Sequence, residues 1–144
     1  MLDQDKIEPV AVVILNWNGK KYLQEFLPFL FRSTYLGLKV YVADNGSSDD
    51  SIQFLRELYP NVILIDNKRN YGFAGGYNHG LRQVPNDYYV LLNSDVEVTP
   101  DWIAPVLRYM DSTPRMVATG RLACSQWIRC ASTNFGGWCH RAIH

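Results

Sequence analysis

Along the chain, short apolar runs rich in β-branched residues alternate with longer stretches in which apolar positions recur every three or four residues. Period-two or continuous apolar runs make strands, and the longer period makes helices, so the alternation predicts βαβ units built on a parallel sheet. Four strands are predicted at 10–15, 39–43, 62–66 and 88–92. Their near-continuous apolarity suits strands covered by helices on both faces. Between the first two, Tyr22, Leu23, Phe26, Leu27 and Leu30 keep one helical stripe, which Pro28 is expected to kink. A second helix is predicted from an N-cap at Ser48, with Asp49 and Asp50 favouring the helix dipole and Ile52, Leu55 and Leu58 or Tyr59 buried before Pro60. Thr99-Pro100-Asp101 predicts a third helix, with Thr99 as cap, running through Trp102, Val106 and Tyr109 to about Ser112.

Past Thr119 both periods fade. The segment 120–144 is rich in Cys, Trp, Arg, His and small residues, and it carries no pattern that would continue the sheet-and-helix plan. The division expected is a folded part at 1–119 and a divergent or truncated tail at 120–144. A sheet lacking later strands would leave apolar surface on its last strand exposed.

Composition narrows the function. The 144 residues suffice for one core, and 14 basic residues balance 14 acidic ones, so nothing favours nucleic acid or another polyanion as a partner. Residues 1–9 are polar and acidic, without the basic flank of a signal peptide or the length of a transmembrane span; a cytoplasmic protein is expected. Three cysteines clustered at one end make a poor disulfide framework. Cys124, Cys130, Cys139, His140 and His144 are zinc-capable types, but they lack the close Cys-x-x-Cys pair of common zinc modules. Without a secretory signal, the sequon Asn45-Gly46-Ser47 reads as accidental.

In an open parallel sheet, ligands gather beyond the carboxyl ends of the strands. The polar signatures stand there: Asn16-Trp17-Asn18-Gly19 after the first strand, Asp44-Asn45-Gly46-Ser47-Ser48-Asp49 after the second, Asn67 through Gly80 after the third, and Asn93-Ser94-Asp95 after the fourth. The glycines of the third stretch would let backbone approach a phosphate at a helix N-terminus, yet it is neither a G-x-G-x-x-G nor a Walker loop.

Taken together, in order and spacing, these four loops resemble the family-2 glycosyltransferases, and Asn-Trp-Asn-Gly, Gly-Phe-Ala-Gly-Gly-x-Asn and Leu-Leu-Asn-Ser-Asp resemble the bacterial rhamnosyltransferase-like branch. The resemblance covers roughly residues 10–116. It implies an α/β GT-A fold, a Rossmann-like, mostly parallel sheet with flanking helices, incomplete at the C-terminus. It also implies inverting transfer of a sugar, rhamnose among the candidates, from a UDP-, dTDP- or GDP-linked donor to a saccharide or lipid-linked acceptor in bacterial surface polysaccharide synthesis. That activity would be cytoplasmic, with a place at the inner face of the membrane.

The resemblance assigns nucleotide contacts to Asn16, Trp17, Asn18, Asp44, Asn45, Gly72, Phe73, Gly76, Asn78, Asn93 and Ser94. Asp44 is implied to accept a hydrogen bond from the base or ribose, although an Asp before Asn-Gly also caps a turn. Trp17 is read either as a flat platform for the base or as a core aromatic. Asn93-Ser94-Asp95 stands where the family has Asp-x-Asp, so Asp95 is implied to bind Mg²⁺ or Mn²⁺ while Asn93 offers a carbonyl or binds ribose. The family's catalytic base lies beyond the resemblance, and no residue is nominated for it. A non-catalytic nucleotide-binding or regulatory module, or an inactive fragment, is the alternative.

Overall fold

A computed structural model describes residue 7, residues 9–113 and the strand segments 118–119, 128–130 and 138–141. In chain order the elements are β1 (Val10–Asn16), α1 (Lys20–Leu30), β2 (Leu38–Asp44), α2 (Ser51–Leu58), β3 (Ile63–Asp66), α3 (Gly72–Leu81), β4 (Tyr88–Asn93), β5 (Val96–Val98), α4 (Ile103–Ser112), β6 (Ala118–Thr119), β7 (Ile128–Cys130) and β8 (Trp138–Arg141). Among the described residues the main sheet runs β3-β2-β1-β4-β8-β6. Its first four strands are mutually parallel, as the βαβ alternation requires.

The register carries the functional consequence. Asn16 lies opposite Asp44, Asp44 opposite Asp66, and Leu15 opposite Asn93. Thus β1, β2 and β4 each run one residue beyond their predicted apolar runs, ending on a polar residue held by the sheet itself. The four loops gather at one edge, as expected.

Each face of the sheet has its own core. Val10, Val12, Ile14, Val40, Val42, Val90 and Leu92 meet Leu23, Leu27 and Leu30 of α1, Phe54 and Leu55 of α2, and Ile103, Leu107 and Met110 of α4. Ala11, Val13, Tyr41, Ala43 and Ile65 meet Tyr77 of α3 on the other face. The α1 helix continues through Pro28.

Two helix starts differ from expectation, and distant partners explain both. Ser48 does not cap α2: its N–H and hydroxyl donate to Asn18 Oδ1, and the helix opens at Ser51. Asp50 stands at the N-cap without a side-chain cap bond, and Asp49 just before it accepts from the Ser51 N–H at 3.0 Å and from the Lys20 N–H of α1 at 3.1 Å. Likewise α4 begins at Ile103 rather than after Thr99, because the Pro100 carbonyl is taken by the Thr34 N–H and hydroxyl. Thr99 Oγ1 is buried without a partner among the described residues.

One carboxylate bonded at two helix starts predicts that Asp49→Ala lowers stability by about 1–3 kcal/mol, the net worth of two hydrogen bonds. Burial pushes the Asp49 carboxyl up, but bonds from Ser51 and the Lys20 N–H, with the Lys20 charge, together hold it below the usual aspartate value. A lowered folded pKa gives stability that is present above the unfolded value near 4 and lost as pH falls through the folded one. Thermal melts should therefore show wild type and variant converging below about pH 4.

The tail departs most from expectation. β8 pairs antiparallel with β4, and β6 with β8, so the outer edge of β4 is covered between Tyr88 and Leu91. β7 pairs antiparallel with β5. Antiparallel partners satisfy the backbone edge without the apolar run that a buried parallel strand needs, which is why the pattern did not reveal them. Cys130, Cys139 and His140 stand in β7 and β8, while Cys124 and His144 lie outside the described residues.

Candidate functional site

The end of β1 and the loop after β2 form one hydrogen-bonded unit. Asp44, with no exposed surface, accepts from Asn16 Nδ2 at 2.8 Å, from the Ser47 hydroxyl at 2.7 Å and from the Ser47 N–H at 2.8 Å. The turn-capping reading of Asp44 therefore describes its contacts. Ser47 Oγ in turn accepts from the Asn18 N–H at 2.9 Å. Gly46, at φ +76°, passes so close to the Arg69 backbone that a Cβ would lie 2.7 Å from Arg69 Cα. Only glycine fits that turn.

Asn16 donates through Nδ2 to Asp44 and Ser47, which fixes its Oδ1 as an acceptor that is buried and unpartnered among the described residues. A side chain at Gly19 would press on that oxygen at 2.4 Å. Asn18 holds a positive φ of 49°, and its Oδ1 accepts from Ser48 and Asp49. Its amide oxygen is thus spent on the loop. Trp17, between these two anchored residues, is 58% exposed; the core reading fails, and the indole stands as an open platform.

The third polar stretch is helical from Gly72 onward, rather than a loop leading to a helix. Three glycines inside the helix, at 75, 76 and 80, cost roughly 2–3 kcal/mol of helix propensity against alanine, while Gly72 at its start holds a φ of +73° that glycine accepts freely. Tertiary contacts compensate. Asn45 Nδ2 donates to the Gly72 carbonyl and to Asn70 Oδ1, Asn67 Nδ2 donates to the Gly76 carbonyl, and the Tyr77 hydroxyl donates to the Leu92 carbonyl. A Cβ at Gly76 would meet Leu15 Cδ1 at 2.7 Å and the Asn45 amide at 3.0 Å. Asn45 and Gly76 therefore serve as packing and tethering residues, with Asn45 also closed to a glycan. Gly72, Phe73 and Asn78 face outward, Phe73 being 56% exposed with its edge contacting Tyr77.

Asn93, Ser94 and Asp95 form the end of β4 and the tight turn into β5, all half-buried. Their donors are oxygens, the chemistry a hard divalent ion selects. No cluster of three His, Cys, Asp or Glu side chains occurs among the described residues, so a metal here would need oxygens from a bound diphosphate or water to complete its shell.

Several members of the site were not singled out from sequence. Ser47 links Asp44 to Asn18. Asn67, just past β3, donates to Asn45 Oδ1 while its own oxygen pairs with His79 Nδ1 at 2.9 Å, and His79 stacks on Tyr71. Asn67 had a weaker signal: it follows Asp66, the residue in the same register position as Asn16 and Asp44. Among the described residues no helix is long and apolar enough to cross a membrane.

Comparison with known proteins agrees with this arrangement. The family model for glycosyl transferase family 2 matches residues 11–128. An uncharacterized glycosyltransferase of Haemophilus influenzae is 28% identical over 77% of this chain and 35% of its own. An N-acetylglucosaminyl-diphospho-decaprenol L-rhamnosyltransferase of Mycobacterium tuberculosis is 30% identical over 78% of this chain and 40% of its own. The chain thus spans well under half the length of these relatives. The mannosyltransferase PcManGT from Pyrobaculum calidifontis, solved with GDP-Man and Mn²⁺, superposes with a TM-score of 0.71 at 22% identity, over 79% of this chain and 35% of that one. Staphylococcus aureus TarS residues 1–349 with UDP superpose at 0.64 and 21% identity, over 72% of this chain and 32% of that one. These likenesses establish the GT-A architecture, and with the match over residues 11–128 the chain belongs to glycosyltransferase family 2.

Proposed function

We propose that this chain carries the donor-binding half of an inverting glycosyltransferase, one that passes a sugar from a nucleoside diphosphate to an acceptor hydroxyl. The carrying observation is convergence at one sheet edge: the Asn16–Asp44–Ser47 cluster, the N-terminus of α3 and the Asn93-Ser94-Asp95 turn all meet there. Trp17 offers its open ring to the base. Asp44 and Asn16 offer acceptors to the nucleoside once Ser47 yields its bond. The N-terminus of α3, the positive end of its helix dipole, suits the diphosphate.

Asp95, with Asn93 and Ser94, would hold Mg²⁺ or Mn²⁺. When bound, the ion supplies positive charge to the departing diphosphate. UDP, dTDP and GDP sugars are the donor class, with rhamnosyl transfer to a saccharide or lipid-linked acceptor favoured by the named relative from Mycobacterium tuberculosis. Such an acceptor would bring the protein to the inner face of the membrane. In this reading the donor-binding loops all lie within residues 1–119, and strands β7 and β8 from 120–144 complete the sheets beside them; the base that deprotonates the acceptor belongs to a later part of the fold.

Isothermal titration of the folded chain with uridine, thymidine and guanosine diphosphates tests this reading. At least one should bind, and bind more tightly with Mn²⁺ or Mg²⁺. Silence toward all three with either metal would refute donor binding. Binding without sugar transfer is the outcome expected of a donor half that lacks its base.

A further inference from the structure

We propose that Tyr77 is a positioning residue for the metal-binding turn: its buried hydroxyl ties α3 to the end of β4 and so fixes where Asp95 stands. The inference rests on the donor-binding reading and extends it to a residue outside the loops.

Tyr77 belongs to α3, on the opposite side of the sheet from α1, α2 and α4, and is only 3% exposed. Its hydroxyl donates to the Leu92 carbonyl at 3.0 Å, one residue before Asn93. The phenol thus ties α3 to the end of β4 at the point where that strand passes into its site loop. Burial, and then the nearby Asp95 charge, push the phenol well above an ordinary tyrosine, against the opposing effect of the Leu15 N–H. The group stays a neutral donor at any physiological pH.

The neighbouring end of β1 is held independently, by β2, by the Asn16–Asp44 bond and by the Asn45 N–H donating to the Asn16 carbonyl. Among the described residues the ladder of β4 with β8 stops at Leu91, so at Leu92 and Asn93 its strand neighbour is β1. Losing the hydroxyl should therefore loosen the Asn93-Ser94-Asp95 turn while leaving Asn16 and Trp17 in place. An ion held by few protein oxygens is sensitive to such movement, and loss of an outer-shell partner costs about 10–100-fold in metal affinity.

The test is Tyr77→Phe in the full chain, which keeps the ring, its burial and its edge contact with Phe73. Mn²⁺ affinity, read by electron paramagnetic resonance with the diphosphate that wild type binds best among uridine, thymidine and guanosine, should fall about tenfold. Affinity for that diphosphate without metal, read by calorimetry, should stay within about twofold of wild type. Unchanged Mn²⁺ affinity overturns the proposal, and so does a parallel loss of both affinities, which would mark Tyr77 as a general packing residue. Should the variant not fold, wild-type protein carrying ring-labelled tyrosine decides: bound Mn²⁺ must broaden the Tyr77 signals, and an unaffected signal at saturation overturns the placement. A wild-type chain that binds none of the three diphosphates removes the donor reading and this inference with it. Normal wild-type binding with an indifferent Tyr77→Phe removes only the inference.

Discussion

Asp95→Ala is expected to remove most of the metal dependence of nucleoside diphosphate binding while leaving the fold intact. Asp95 sits half-buried in a tight turn, and no core contact depends on its carboxylate. Its negative charge is useful only toward a cation, because beside a bare diphosphate it repels. The two conditions should therefore respond with opposite sign. With Mn²⁺ the affinity should fall at least as far as the 10–100-fold that follows loss of an outer-shell partner. Without metal it should hold or rise slightly. Calorimetry with and without Mn²⁺ reads both arms, and a thermal midpoint close to wild type confirms the fold. Equal losses in both arms would mean that the carboxylate acts through structure rather than through an ion.

The parts of this molecule that were legible in sequence are those whose physics is local or periodic. Buried parallel strands must be apolar on both faces, so the positions of β1 to β4 followed from composition alone, and the sheet edge followed from right-handed crossovers. Helix starts were less legible because capping here is done across the fold. Ser48 has the chemistry of an N-cap, but Asn18, thirty residues earlier, takes its donors, and the helix opens later with Asp50 at its cap and Asp49 holding the Ser51 N–H. The α3 helix was misread for a related reason. Its glycines argue for a loop, and only contacts from Asn45, Asn67 and Tyr77 make a helix of them. In the site, the residue types facing the edge were readable, but their division of labour was not. Asn18 and Asn45 resemble ligand contacts in sequence, whereas in the fold the Asn18 amide oxygen and both ends of the Asn45 amide are bonded to neighbouring loops. Tyr77 gave no signal at all, since its partner, Leu92, contributes a backbone carbonyl that any residue would have offered.

Asp44 presents the opposite case to Asp95, and Asp44→Ala should be costly even with no nucleotide present. Its two oxygens serve three donors, Asn16 Nδ2, the Ser47 N–H and the Ser47 hydroxyl, in a position with no exposed surface. Alanine leaves the Asn16 donor buried and partly unmet, and it frees the turn that Gly46 brings against Arg69. Buried unsatisfied donors cost about 1–3 kcal/mol each. Water can reach Ser47, which is only half-buried, so the sum falls near 3 kcal/mol rather than at the upper bound. In a domain of this size that lowers the thermal midpoint by roughly 10 °C. Nucleoside diphosphate binding, measured well below the variant's midpoint, should weaken by a similar factor with and without Mn²⁺, because in the proposed reading Asp44 serves the nucleoside and not the ion. Ser47→Ala separates the two roles. It removes one donor to Asp44 and leaves one buried N–H of the Asn16 amide without its acceptor, so it should cost about 1–3 kcal/mol of stability. It also frees a lone pair on Asp44 for the base, so affinity should hold or improve. A Ser47→Ala variant that loses binding as completely as Asp44→Ala would show that the cluster shapes the loop and that Asp44 does not read the nucleoside.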